Sequence, residues 1–198
     1  MIGEPALAPD PRFAELKNAL ADRLASAGAS ITPQNFASLL DPLMRSVLAQ
    51  GFAEATAHEG TVWLLDEPGQ HLIPAYNTGP NAAKFVATFK QPVNEGLIAM
   101  VTASEQPFVE NEVYRNSRQS KRLDTALGVQ TCSLIGVPFY LLKRCSGTIS
   151  CVQLKTANQP DPPGFTPSHL AAVQRTASVL SRLLDFQFLG ATVGWTPS

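Results

Sequence analysis

The chain has 198 residues, of which 44% are hydrophobic and 16% charged, with a formal net charge of −1. Such a chain is long enough for one domain with a true core. Its 15 scattered Lys and Arg residues exclude a basic surface for nucleic acid or membrane. No apolar run reaches the roughly 18 residues of a membrane span, and the start "MIGEPALAPDPRF" lacks the basic and apolar blocks of a secretory signal. Three widely spaced cysteines make no disulfide framework. A cytoplasmic protein with reduced thiols is expected.

Residues 1–10 carry Gly3, Pro5 and Pro9 and read as a flexible N-terminal tail. Asp10-Pro11 then reads as a helix cap followed by proline at the first helical position. Phe13, Leu16, Leu20 and Leu24 fall on one face of a helix that ends at Gly28, within an N-terminal segment 11–35. A second helical stripe runs from Phe36 through Leu39, Leu40, Leu43, Met44, Val47 and Leu48 to Phe52. Pro42 must kink or restart it, because proline has no backbone donor.

The period then changes. "GTVWLLD" and "HLIPAYN" read as strands joined by the turn "EPGQ". "NAAKFVATFK" is expected to be a short helix, and "NEGLIAMVTASE" a clearer one with Leu97, Met100 and Val101 inward. "QPFVENEV" reads as extended, and "RNSRQSKRLDTAL" as loop with a helical turn. Two long strands follow, "TCSLIGVPFYLL" and "GTISCVQLKT", with "KRCS" as the hairpin connection. Alternation places Thr131, Ser133, Ile135 and Val137 on one face of the first, opposite Cys132, Leu134 and Gly136. Small hydroxyls beside Ile and Val suggest a face that is covered yet not filled by apolar groups alone.

The last element, "TPSHLAAVQRTASVLSRLLDFQFL", has Thr166 as its cap and Pro167 at its first position. Leu170, Val173, Ala177, Leu180 and Leu184 repeat at spacings of 3, 4, 3 and 4, a heptad seam. The seam fits either a helix on its own sheet or a dimer contact, since Leu183, Phe186, Phe188 and Leu189 also need cover. The order of elements gives an α+β domain with one antiparallel sheet.

"AEATAHEGTVWLLDEPGQHL", "VNEGLIAMVTASEQPFVEN", "LGVQTCSLIGVPFYLLKRCSGTISCVQLKT" and "GFTPSHLAAVQRTASVL" together resemble a GAF domain, over about residues 36–187. The resemblance implies a central antiparallel sheet flanked by helices, with the N- and C-terminal helices packed together, often across a dimer. It places a GAF-like domain at 36–189, a C-terminal tail at 190–198, and a small-ligand pocket between the sheet and its short helices. By alignment with that pocket, the expected ligand-binding residues are Thr61, Tyr76, Asn77, Leu97, Ile98, Thr131, Ser133 and Gln153. Trp63 is expected to be core or helix packing.

Bilin-carrying GAF domains have a Cys-His pair where this chain has Ser120-Lys121, so bilin attachment is not expected there. Cyclic-nucleotide-binding members carry Asn-Lys and Phe followed by Asp-Glu. Here Phe165 matches, but Thr156-Ala157 and His169-Leu170 stand in the other places, and a cyclic nucleotide is not expected. The free methionine sulfoxide reductases of the family have catalytic cysteines in a loop before the late strands, and residues 53–131 contain none. His58, His71 and His169 lack metal-ligand spacing and read as surface residues. Cys145 follows Lys143-Arg144, cations that lower a thiol's pKa and raise its reactivity; the favoured alternative is an idle exposed thiol. The resemblance implies a non-enzymatic, cytoplasmic sensor or regulatory module for an unknown small molecule, a homodimer through its terminal helices, passing its state to a signalling partner protein. No metal, cofactor, nucleic acid or membrane is expected. The alternative is a structural dimerisation module with a vestigial pocket.

Overall fold

The computed structural model describes residues 11–194; the expected tail at 1–10 lies outside them. Helix α1 (Pro11–Ala29) leads to a short α2 (Phe36–Leu39) and to α3 (Pro42–Glu54). The apolar stripe is thus cut at Pro42, which occupies the first position of α3 while the Asp41 carboxylate accepts from the Met44 N–H at 2.8 Å. That is a helix restart of the expected kind.

Strands β1 (Glu59–Leu65) and β2 (His71–Asn77) pair next, followed by α4 (Ala82–Phe85), β3 (Gln91–Pro92) and α5 (Gly96–Ser104). Then come β4 (Phe108–Glu110), a 3₁₀ turn at Val113–Arg115, and α6 (Arg122–Leu127). The long strands β5 (Thr131–Leu141) and β6 (Arg144–Leu154) precede α7 (Pro167–Val193). The six strands form one sheet in the order β3-β2-β1-β6-β5-β4, and every neighbouring pair is antiparallel.

The sheet has helices on both faces. On one side α3 and α7 pack with Phe36 of α2 into the main core, where Phe36 meets Phe139 edge-on at 6.1 Å. The seam residues Val173, Ala177, Leu180 and Leu184 are all buried there, against the chain's own sheet. Burying each Leu or Val side chain contributes about 1.5–3 kcal/mol, so the first heptad stripe is the core face of a single chain. Helix α1 lies against α7, with Leu24 on the core and Arg23 donating to the Thr192 carbonyl at 3.3 Å. Helix α7 continues to Val193, so the segment 190–193 belongs to the helix, not to a tail.

The hairpin turns one place earlier than "KRCS" suggests. Leu142 and Lys143 take left-handed φ values of 49° and 65°, the conformation of a two-residue primed turn. Neither residue favours it. The Asp185 carboxylate of α7 accepts from the Leu142 N–H at 2.8 Å and anchors the turn to the helix.

Candidate functional site

Opposite the main core, α5 and α6 and the segment between them cover the middle of the sheet. They leave a cavity of ≈ 90 Å³. One water needs about 10–15 Å³ on this measure. The space therefore suits several waters or one small organic molecule, and a nucleotide would require the cover to move. Gly96, at φ +82°, makes the cover close: a Cβ there would stand 3.0 Å from Cβ of Ser120.

Strand alternation assigns the floor. Glu59, Thr61 and Trp63 of β1 face the cavity, and Ser150, Val152 and Leu154 of β6 face it beside them. Of the eight residues expected from sequence, Thr61, Asn77, Leu97, Ile98 and Thr131 line it. Asn77 pairs with Thr61 across β1 and β2 and donates to the Thr61 hydroxyl at 2.9 Å. Leu97 and Ile98 form part of the roof from α5.

Tyr76, Ser133 and Gln153 lie on the other side of the sheet. Tyr76 pairs with Val62 and packs on the main core, its ring under the Arg45 guanidinium of α3 at 5.6 Å. Ser133 pairs with Gln153, and Ile135 with Cys151, all turned toward the helical core. The cause is a bulge. Thr131 pairs with Leu154 and Ser133 with Gln153, which leaves Cys132 unopposed and reverses the alternation between Thr131 and Ser133. A strict period of two places both hydroxyls together; the extra residue puts only Thr131 in the cavity. Gln153 has a structural task. Its amide donates to the Thr56 carbonyl at 3.2 Å and accepts from the Gly164 N–H at 3.0 Å, tying two loops to β6.

Trp63, expected to be core, contributes to the cavity wall as well as to a small apolar cluster with Leu72 and Ala99. Its indole N–H donates to the Ser150 hydroxyl at 2.9 Å. Glu59, Gln119, Ser120 and Asp124 are further polar wall residues that the sequence reading missed. The signal for Glu59 was an acidic residue two places before Thr61 on a strand otherwise apolar or neutral. Asp124 accepts from both the N–H (2.9 Å) and the hydroxyl (2.8 Å) of Thr131, and from the Gln119 amide at 3.1 Å. These bonds fasten α6 to the start of β5.

The histidines make local structural bonds. His58 Nδ1 accepts from the Leu154 N–H at 3.0 Å, His71 pairs with Asp66 at 2.8 Å, and His169 completes the capping box of Thr166. Cys145 is not activated by its cationic neighbours. Burial pushes its thiol pKa up, and the charge of Glu105 adds to the rise, against a smaller lowering by hydrogen bonds from backbone. Burial likewise raises Cys132 and Cys151.

Comparison with solved structures finds this architecture in GAF domains. The GAF domain of a phosphoenolpyruvate-protein phosphotransferase from Coxiella burnetii matches with a TM-score of 0.59 at 16% identity, covering 89% of this chain and 96% of that one. The A. aeolicus nlh2 GAF domain, in an inactive state, matches with a TM-score of 0.51 at 17% identity, over 86% and 93% of the two chains. A free methionine-R-sulfoxide reductase from Neisseria meningitidis, solved with its substrate, matches at 0.53 and 15% identity over 94% and 99%. No family model matches the sequence, and no curated protein is similar to it. The chain has the GAF-domain fold.

Proposed function

We propose that this protein is a non-enzymatic, cytoplasmic sensor module that holds a small molecule between its sheet and the cover formed by α5 and α6. The observation that carries this reading is the cavity itself, lined mostly by apolar side chains with a few converging polar groups, the usual make-up of a small-ligand site. Its described wall contains no cysteine, histidine or lysine to act as a nucleophile or base, which favours binding over the reductase chemistry of the neisserial relative in fold. Occupancy would act on the cover and, through β5 and β6, on α7 and α1, whose outer faces would present the state to a signalling partner. A ligand shifts such an equilibrium only by its difference in affinity for the two states.

Native mass spectrometry of the purified protein against its denatured mass tests the reading. A co-purified small mass is expected, lost in the double variant Thr131→Val, Asn77→Ala. A protein that carries nothing and gains no thermal stability from any member of a metabolite panel would overturn it.

One observation favours the second reading, a dimerisation module. Val179, Phe186 and Val193 recur every seven residues on the outside of α7 with Leu189 between the last two, and all four are exposed. This stripe, distinct from the buried seam, has the spacing of a helix–helix contact. Light scattering decides it: a dimer that becomes a monomer on Phe186→Glu supports a homodimer, and a monomeric native chain rejects it. The two readings are compatible, since a dimer of sensors can carry a ligand in each subunit.

A further inference from the structure

The polar groups of the cavity are one-sided in their hydrogen bonding. Each side-chain nitrogen of its wall already has at least one partner within the protein. Asn77 gives its amide hydrogens to Thr61 and, at 3.4 Å, to Glu59; Gln119 gives to Asp124, Gln91 to the Glu95 carbonyl, and Trp63 to Ser150. The acceptors are not matched. The Glu59 carboxylate, on a residue only 9% exposed, receives that single long bond, although an ionised carboxylate has room for about four. Gln119 Oε1 is a buried acceptor with no partner at all, and the Ser120 hydroxyl, able to accept or donate, has none either. The Gln119 amide cannot be reversed to cure this, because its oxygen would then face the Asp124 carboxylate.

Charge points the same way. The described wall holds two carboxylates, Glu59 and Asp124, and no lysine, arginine or histidine. Asp124 is satisfied by its three donors, whereas Glu59 is not. Gly79 lies close against Glu59: a Cβ at that glycine would lie 2.0 Å from the Glu59 carboxyl carbon, so the loop covers most of the carboxylate. A largely covered carboxylate with one long hydrogen bond gains from any donor or cation brought to it. What the site lacks is a compact group with several donors and a positive charge.

We propose that the ligand of this cavity is a small organic ammonium ion. The inference rests on the small-ligand reading above and names its chemical class. The ammonium would lie against Glu59 and supply hydrogen bonds to it and to the orphan oxygens at the wall, each strengthened by the charge. Its apolar body would rest on Leu97, Ile98 and Val152, and the rings of Trp63 and Phe85 favour a cation further. Phosphates, nucleotides and simple carboxylates are disfavoured, because they would bring a third negative charge to a wall without a cation.

Three probes of one size separate the possibilities: n-butylammonium, butyrate and 1-butanol, titrated into ¹⁵N-labelled full-length protein. The readout is the indole N–H signal of Trp63, identified in the Trp195→Phe variant. Butylammonium is expected to move it saturably, within about 100 mM, as suits a fragment of so few atoms. Glu59→Gln should weaken that binding by about tenfold or more, the loss of a charge-assisted contact, with the amide spectrum showing that the variant is folded. Should that variant fail to fold, Gln119→Leu takes its place and should weaken binding severalfold. Saturable binding of butyrate or butanol without butylammonium would overturn the ammonium proposal and leave the small-ligand reading standing. Undiminished affinity in a folded Glu59→Gln variant would overturn it too. Silence from all three probes would overturn the proposal and count against the cavity as a ligand site.

Discussion

The two faces of the sheet are built from the same strands and obey different rules. On the face toward α3 and α7, Val62, Ile135, Val137, Phe139 and Ile149 meet the buried stripe of α7, and the long polar side chain there, Gln153, is bonded at both ends. On the face toward α5 and α6, a cavity remains, floored by Thr61, Trp63, Ser150 and Val152, with acceptors left over. The first face has the close packing from which stability comes. The second gives up packing that a chain selected for stability alone would fill, and leaves Gln119 Oε1 and Ser120 Oγ unpartnered where the core face leaves only the Ser133 hydroxyl among the described residues; such departures concentrate where a protein does its work.

That contrast can be broken from the core side first. Leu180→Ala should cost about 2–5 kcal/mol in urea unfolding, because Leu180 is fully buried between α7 and the sheet. Leu180→Glu should prevent folding; a folded monomer from that variant would return the seam to a dimer contact. Gln153→Leu should cost about 2 kcal/mol, since the Gly164 N–H then loses its acceptor and the loop at Thr56 its donor. An unchanged midpoint would mean that those loops are held by something else.

Acid should act away from both faces. Burial would raise the pKa of Asp66, but hydrogen bonds from the backbone N–H and ring of His71 and from Gln70 outweigh it and hold the carboxyl below its ordinary 3.8. A carboxylate depressed in the folded state adds stability that is fully present above the unfolded value and is lost as pH falls through the folded one. Stability should therefore decline below about pH 4, and Asp66→Asn should flatten part of that decline. The smallest effect is expected at Ser133. Its hydroxyl is buried on the core face without a partner, so Ser133→Ala should be neutral or slightly stabilising, by less than about 1 kcal/mol. A clear loss would reveal a bond that the strand geometry does not provide.

The fold was legible because its signals are periodic. The stripes of α3 and α7, the break at Pro42 and the strands β1, β2, β5 and β6 all follow from spacing and turn chemistry. The cavity was legible only in part, because its residues depend on which way single side chains turn. Thr61, Asn77, Leu97, Ile98 and Thr131 do lie on the cavity wall. Ser133 and Gln153 were misplaced by one unopposed residue, Cys132, and nothing in "QTCSL" marks a bulge, for it contains no glycine or proline. Tyr76 was misplaced against alternation itself: it adjoins Asn77 on β2 in regular register, and consecutive strand residues face opposite sides. Glu59, Gln119 and Ser120 escaped notice because an isolated polar residue in a sequence is usually solvated, and only tertiary packing shows these to be enclosed.

Hydrogen exchange read by mass spectrometry, with and without saturating ligand, tests the central claim most directly, n-butylammonium serving until a natural ligand is in hand. The division of labour between the faces predicts slower exchange in the cover, residues 96–104 and 113–131, with little change in the segments of α3 and the middle of α7 that are already protected by the core. Protection confined to the core helices, or no protection anywhere under saturation, would contradict it.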